Sequence, residues 1–81
     1  MPSSLFTQRH QEFIQFLIAA RKAAGVTQVE LADRLGRPQS FVSKVERGER
    51  RVDVIEFCQL AEAMGYQPSN LLKEFMDSEG R

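Results

Sequence analysis

Apolar residues recur along most of the chain at the three- and four-residue spacing that places them on one side of an α-helix. No segment alternates between apolar and polar residues as a half-buried strand would. Four of the apolar stretches are each followed by a glycine, the residue that most readily ends a helix with positive φ: Gly25, Gly36, Gly48 and Gly65. The pattern therefore predicts an all-α fold of five short helices in a single domain over residues 1–81.

The first helix is predicted from about residue 6 or 7 to residue 24. At 100° per residue, one stripe of this helix holds five of its apolar side chains: Phe6, Phe13, Leu17, Ala20 and Ala24. Ile14 and Ile18 lie to one side of the stripe and Phe16 lies to the other. This helix thus carries more apolar surface than one small core needs.

Thr27 and Glu30 predict the start of the second helix, because they have the spacing of a capping box. It is expected to run to Leu35 and to be followed by a tight turn at residues 36–38. Because the φ of proline suits the first turn of a helix, a third helix is predicted to begin at Pro38 and to extend to Arg47.

The third helix is expected to have two different sides. Its apolar residues Phe41, Val42 and Val45 face inward, and its outer side is polar and formed by Gln39, Ser40, Ser43, Lys44 and Arg47. Two short helices joined by a tight turn, the second with a continuous polar side, make a helix-turn-helix over about residues 27–47.

Two more helices are predicted after an irregular charged stretch. Asp53 and Glu56 favour a helix start, and the fourth helix then runs to Met64 with a buried stripe made of Val54, Phe57, Leu60, Ala61 and Met64. Pro68 opens the fifth helix, expected over about residues 68–78, which contains Leu71, Leu72, Phe75 and Met76.

Charge is unevenly distributed, although the total of 11 basic and 11 acidic residues cancels. Residues 34–51 hold six basic side chains and two acidic ones, whereas residues 52–81 hold two basic and six acidic ones. The middle of the chain is therefore at net +4 and the end at net −4. A basic middle can orient the protein toward a polyanion even when the whole molecule is neutral.

Composition argues against catalysis, metal binding and membrane insertion. A chain of 81 residues has little room for a deep catalytic cavity, and His10 and Cys58 are single residues of their types, so they form no metal quartet and no disulfide. The longest apolar run, residues 16–20, is far shorter than the roughly 20 residues that span a bilayer. We expect a soluble cytoplasmic protein without cofactor or enzymatic activity.

One residue string is more specific than these general features. It consists of Gly25-Val26-Thr27-Gln28-Val29-Glu30-Leu31-Ala32, then Gly36, then Gln39-Ser40-Phe41-Val42-Ser43-Lys44-Val45-Glu46-Arg47-Gly48. The string closely resembles the Xre-type, lambda-repressor-like helix-turn-helix family, and the resemblance covers about residues 10–73. It implies a five-helix, dimeric, sequence-specific DNA-binding protein that represses or activates transcription.

The resemblance also implies roles for individual residues. Gln39, Ser40 and Lys44 match the base-reading positions, and the side chains of Gln and Lys suit adenine and guanine respectively. Gln28 matches a phosphate-binding position, and the further phosphate candidates on or beside the same surface are Arg37, Ser43, Arg47 and Arg50. The alternative for all of these residues is an ordinary solvated surface. Pro38 departs from the family pattern, which has a hydroxyl residue there, so one base contact is expected to be missing.

Two further expectations concern assembly. The resemblance implies a partly buried ion pair between Arg21 and Glu46 as part of the scaffold. Surplus apolar residues suggest a homodimer interface on the fifth helix at Leu72, Phe75 and Met76, joined by Ile14 and Ile18 or by Phe16, although the same residues could instead complete a small core. A second hypothesis is an antitoxin or other protein-interaction module of the same fold, which contacts a protein partner through its acidic C-terminal half.

Overall fold

Five α-helices make up the regular structure of residues 7–79, the part of the chain that the computed structural model describes. They are α1 (Gln8–Ala23), α2 (Gln28–Leu35), α3 (Gln39–Glu46), α4 (Val54–Ala63) and α5 (Pro68–Glu79). No strand occurs in this range, and the all-α, five-helix fold predicted from the apolar spacing is confirmed. Phe6, expected on the apolar stripe of the first helix, lies outside the described residues.

Local capping interactions define the starts of two helices. Thr27 Oγ1 accepts a hydrogen bond from the Glu30 backbone N–H at 3.0 Å, and Glu30 Oε1 accepts one from the Thr27 N–H at 2.9 Å. Asp53 and Glu56 form the same reciprocal pair at the start of α4. Both capping boxes satisfy backbone N–H groups that have no partner within the helix, and both follow from side chains three residues apart.

The turn between α2 and α3 sets the angle at which α3 leaves α2. Gly36 ends α2 with φ of 68°, and its N–H is directed at the carbonyl oxygens of Ala32 and Asp33. The Arg37 N–H bonds to Ala32 O at 3.0 Å and closes the turn. Because residues with a Cβ rarely adopt this φ, glycine is the residue that permits the reversal here.

The prediction that Pro38 is the first residue of the third helix is wrong by one position. Pro38 has φ of −66° and ψ of 152°, so it is the N-cap and α3 begins at Gln39. The φ of proline fits both positions, and the extended ψ decides between them. The proline supplies no side-chain cap, and its carbonyl oxygen accepts the Phe41 N–H at 3.0 Å.

One buried cluster joins the helices and orients α3. Phe41, Val42 and Val45 are at most 7% exposed and turn the inner side of α3 into this cluster. Their partners come from the other four helices, the α1–α2 loop and the C-cap of α4: Ile14, Leu17, Ala20, Val26, Leu31, Ala32, Phe57, Leu60, Ala61, Met64 and Leu71. The apolar side of α3 is therefore used by the core, and its polar side faces away from the core.

Two sequence expectations about apolar residues are corrected by the packing. Val54, predicted in the buried stripe of α4, is 76% exposed, because the first turn of α4 borders an open groove instead of a packed helix. Ile14 and Phe75, expected at a dimer interface, are 4% and 8% exposed. Their burial within one chain removes these two side chains from the surface that a second copy could contact.

Candidate functional site

The side of α3 that faces away from the core carries four polar residues, Gln39, Ser40, Ser43 and Lys44, and is called the polar face below. Gln39, Ser40 and Lys44 are exposed, and Ser43 is half-buried with its hydroxyl donating to Ser40 O at 3.2 Å. The face is held by a helix whose other side is anchored in the core. It is therefore a rigid polar surface that water or a ligand can reach.

A buried ion pair lies beneath the start of α2 and the end of α3. The Arg21 guanidinium donates to both carboxylate oxygens of Glu46, at 2.6 Å and 3.0 Å, and to the Val26 carbonyl oxygen at 2.9 Å. The two side chains are 11% and 10% exposed. This contact ties α1 to the C-terminal end of α3 across 25 residues of sequence.

Gln28 extends this ion pair to the polar face of α3. Its Nε2 donates to Glu46 Oε1 at 2.8 Å, and its Oε1 accepts from Gln39 Nε2 at 3.4 Å. Sequence reasoning treated Gln28 and Glu46 separately and missed this connection. The contacts join residues 18 and 11 positions apart, so no local spacing pattern could indicate them.

Arg37 and Arg50 converge on a single carboxylate. Arg50 binds both oxygens of Glu56 at 2.8 Å, and Arg37 Nη2 lies 3.4 Å from Glu56 Oε2. Both guanidinium groups also lie over the Phe41 ring, at 4.2 Å for Arg37 and 4.8 Å for Arg50. The hydrogen bonds from Arg50, assisted by the Asp53 backbone N–H and the nearby charges, lower the pKa of Glu56 to about 2.

Two further arginines of the basic middle, Arg47 and Arg34, also have hydrogen-bond partners. Arg47 donates to both oxygens of Glu49, at 2.9 Å and 3.2 Å, which raises the Arg47 pKa and lowers the Glu49 pKa. Arg34 Nη1 donates to Ala63 O at 2.8 Å and caps the end of α4. The positive charge counted along the sequence is thus partly balanced by carboxylates that the fold brings close.

His10 lines a pocket together with Glu46 and Arg47 at the end of α3, whereas Cys58 lies on α4. His10 is 7% exposed, its Nε2 has no hydrogen-bond partner, and burial together with the charge of Arg51 lowers its pKa. Cys58 is half-buried on α4.

Among residues 7–79, no group of three or more His, Cys, Asp or Glu side chains is arranged to hold a metal ion. Within the same range, no helix has the length and apolar character needed to cross a membrane.

Comparison with known proteins agrees with this arrangement of α2, turn and α3. The model of the helix-turn-helix family matches residues 17–71, which is more than half of the chain. The chain belongs to this family, in its Xre-type branch. The helix-turn-helix protein superposes with a TM-score of 0.81 on an XRE-family-like protein from Pseudomonas syringae pv. tomato strain DC3000, at 53% identity over 86% of this chain and 85% of that one.

Two further relatives of this helix-turn-helix protein carry informative names. The restriction-modification controller protein C.AhdI from Aeromonas hydrophila is 37% identical, with a TM-score of 0.68 over 76% of this chain and 94% of that one. An uncharacterized HTH-type transcriptional regulator, y4dJ, from Sinorhizobium fredii strain NGR234 is 42% identical over 45 residues, or 56% of this chain. The chain spans 58% of the length of that curated relative.

Proposed function

We propose that this protein is a DNA-binding transcriptional regulator that inserts α3 into the major groove. The observation that carries the proposal is the exposed polar face of α3, anchored by a buried apolar side and preceded by α2 in a helix-turn-helix. A major groove about 12 Å wide admits one α-helix, whose N-terminal residues meet the base edges. The names of two relatives, a transcriptional regulator and a controller protein, are consistent with this role.

Base reading is assigned to the exposed residues of the polar face. Gln39 at the start of α3 has an amide that can pair with adenine N6 and N7, Ser40 can contact either kind of base, and Lys44 can donate to guanine O6 or N7. Gln39 and Ser40 lie in the first turn of α3, which is the end of a recognition helix that reaches furthest into the groove.

Phosphate contacts are assigned to Ser43, the half-buried member of the polar face, and to four residues that flank this face: Gln28, Arg37, Arg47 and Arg50. Three of these are arginines already bound to carboxylates, and a guanidinium has five N–H donors, so each can keep its carboxylate and still donate to a phosphate oxygen. The carboxylates also hold the arginine side chains in place before DNA arrives, which lowers the entropy lost on binding.

Two copies are needed to read a palindromic operator, because α3 occurs once per chain and half-sites lie about 34 Å apart. On α4 and α5, the exposed apolar side chains suited to self-association are Leu72 and Met76 on α5, at 44% and 58% exposure, and Val54 and Ile55 on α4. Val54 and Leu72 border one groove, which is floored by Phe13 and Phe57. Ile18 is half-buried and packs on the core, so it contributes at most an edge.

The dimer is tested by sedimentation of the wild type and of Leu72→Glu at high micromolar concentration. We expect a dimer mass for the wild type and a monomer mass for the variant, because a charge on this apolar surface opposes its burial. Glu74→Gln, an exposed substitution on the same helix, is the matched control and should leave the mass unchanged. A monomeric wild type would contradict the proposed dimer.

DNA binding is tested by selecting bound duplexes from a random pool and then measuring affinities for the selected operator. Gln39→Ala should cost about 1 to 3 kcal/mol and relax the preference at one base pair. Arg47→Ala should weaken all sequences alike and reduce the slope of log K against log salt by about one. Lys73→Ala, which removes the same charge from α5, is the control.

The outcomes separate the two roles. If selection enriches no sequence and the wild type binds all duplexes equally, sequence-specific regulation is refuted. If Gln39→Ala and Arg47→Ala behave identically across operators, the assignment of base-reading and phosphate-binding roles is wrong.

A further inference from the structure

The arginine pair, Arg37 and Arg50, meets at one carboxylate, which belongs to Glu56 in the first turn of α4. Arg50 donates to both Glu56 oxygens at 2.8 Å, and Arg37 Nη2 lies 3.4 Å from Glu56 Oε2. The same oxygen, Oε2, thus faces one nitrogen of each arginine. The two guanidinium groups also share the Phe41 ring, at 4.2 Å and 4.8 Å from its centroid. They therefore lie side by side, although Arg37 precedes α3 and Arg50 follows it.

The carboxylate that holds the arginine pair is buried, whereas the pair itself is open to solvent. The Glu56 side chain is 10% exposed, and those of Arg37 and Arg50 are 37% and 39% exposed. Glu56 is also held by the backbone, because the Asp53 N–H donates to its Oε1 at 3.2 Å within the capping box of α4. A fixed anion and an aromatic ring thus restrict two long side chains that a ligand can still reach.

Donors remain on both guanidinium groups after these contacts are made. A guanidinium has five N–H donors. Arg50 directs Nη1 to Arg51 O and to Glu56 Oε1, and one N–H of Nη2 to Glu56 Oε2, so its Nε–H and its second Nη2 N–H are left over. Arg37 contacts Glu56 through Nη2 alone. Two adjacent guanidinium groups with spare donors, which share only one carboxylate, suit the oxygens of a phosphate.

The arginine pair borders the polar face of α3. Phe41, over which both guanidinium groups lie, is three residues before Lys44, and residues at this spacing are neighbours on the surface of a helix. Phosphates line both edges of the major groove, so cations beside the face that enters the groove can contact the backbone. An insertion of α3 that lets the polar face read bases would therefore bring the arginine pair close to a phosphate.

We propose that Arg37 and Arg50 together bind a single backbone phosphate of DNA, and that Glu56 is the positioning residue that holds them for it. This inference rests on the proposed function and adds two claims to it: the two arginines share one phosphate, and an acidic residue favours DNA binding. The second claim opposes the simple electrostatic expectation, because a carboxylate near DNA repels phosphate. It requires that ordering the two arginines contributes more than this repulsion removes.

The first test compares Glu56→Gln with Glu62→Gln in affinity measurements on the selected operator. Glu56→Gln, assayed where circular dichroism shows it folded, should weaken binding by about tenfold, because two flexible side chains must then be ordered when DNA binds. Glu62→Gln removes the same charge from an exposed position of α4 and should not weaken binding. An unchanged or higher affinity of Glu56→Gln would overturn the proposal.

A change of background separates positioning from stability. When Arg37→Ala and Arg50→Ala are both present, Glu56 has no guanidinium left to position. Adding Glu56→Gln to this folded double variant should therefore no longer weaken binding, and removal of the repulsion should strengthen it slightly. If Glu56→Gln weakens binding as much as it does in the wild-type background, Glu56 acts only through the fold and the positioning role is refuted.

Neutral methylphosphonate groups in the operator test whether one phosphate is shared. Each phosphate near the site is replaced in turn, and affinities are measured for the wild type, Arg37→Ala and Arg50→Ala. Replacement at one and the same position should abolish the effect of both arginine substitutions, because that phosphate is the partner of both side chains. Two different positions would mean that the arginines bind separate phosphates, and no such position would mean that neither binds the backbone. Either result contradicts the shared contact.

NMR of the free protein distinguishes failure of this inference from failure of the proposed function. A wild type that binds no duplex would refute the proposed function and the phosphate contact together, whereas the hold of Glu56 on Arg50 is measured without DNA. The bidentate contact should slow rotation of the Arg50 guanidinium and give separate Nη resonances, which should merge in Glu56→Gln. Merged resonances in a wild type that binds its operator would refute the positioning role alone.

Discussion

Acid should destabilise this protein through one buried carboxylate, Glu56. The side chain accepts hydrogen bonds from Arg50 at 2.8 Å on each oxygen and from the Asp53 N–H at 3.2 Å, and Arg37 lies 3.4 Å away. All of these contacts favour the charged form. Protonation of Glu56, or its replacement by glutamine, removes that charge and leaves the two guanidinium groups over Phe41 without their shared anion.

The magnitude follows from the difference in Glu56 pKa between the folded and unfolded states. The pKa falls from an ordinary 4.5 to about 2 in the folded protein, and the residue is 8% exposed. A shift of this size corresponds to about 3 kcal/mol. Because Arg37 and Arg50 are 37% and 39% exposed and solvent screens their charges, we expect about 2 kcal/mol.

The sign of the effect follows from proton linkage. The unfolded chain takes up the Glu56 proton near pH 4.5, whereas the folded chain takes it up only near pH 2. Protons therefore stabilise the unfolded state across this window. The contribution of Glu56 is fully present above pH 4.5 and is lost as the pH falls toward 2.

The assay is urea unfolding followed by far-UV circular dichroism between pH 7 and pH 3, for the wild type and Glu56→Gln. The difference in unfolding free energy between the two proteins should be about 2 kcal/mol at pH 7 and should shrink on acidification. Glu74→Gln, which removes a carboxylate from an exposed position, is the control and should show a small constant difference. If the Glu56→Gln difference is independent of pH, the charged cluster does not contribute as described.

Three further predictions address the scaffold. Glu46→Ala should lower the free energy of unfolding by about 3 to 5 kcal/mol, because it leaves the buried Arg21 charge unpaired, and an unchanged melting temperature would contradict this. Val42→Ala, at a site 1% exposed, should cost about 2 kcal/mol in urea unfolding through loss of packing, and a cost near zero would mean that the core collapses around it. Burial lowers the pKa of His10 below 6.5, so the unfolded state binds the proton first and the free energy of unfolding should fall as the pH drops through 6.5. His10→Gln should lack this pH-dependent loss of stability. Identical pH profiles for the wild type and His10→Gln would contradict the prediction.

The features that could be predicted from the sequence are those formed by neighbours in the chain. The capping boxes at Thr27 and Asp53 join side chains to backbone groups three residues away, so their spacing is visible directly. The polar side of α3 follows from helical periodicity, which holds for any helix with one buried side. The start at Pro38 was misjudged by one residue because its φ is compatible with two adjacent helix positions.

Surface features depended on where other helices end. Val54 continues the apolar spacing of α4, yet it is 76% exposed because no helix covers that end of the stripe. Phe75 also looked available from its position on α5, but it packs against the Phe13 and Phe16 rings at 5.3 Å. Periodicity reports the side of a helix on which a residue lies, whereas the position of the next helix decides whether that side is covered.

The sequence alone was thus sufficient for the five helices, the two capping boxes and the outer face of α3, because each depends on contacts within about four residues. Only the tertiary fold brings Glu56 to Arg37 and Arg50, or places Gln28 between Glu46 and Gln39. The partners in these contacts are 6 to 19 residues apart in the sequence. The distances between them are set by how α1, α2, α3 and α4 pack. Long-range polar contacts carry no periodic signal, so the charge balance around Glu56 and the hydrogen bonds of Gln28 became visible only in three dimensions.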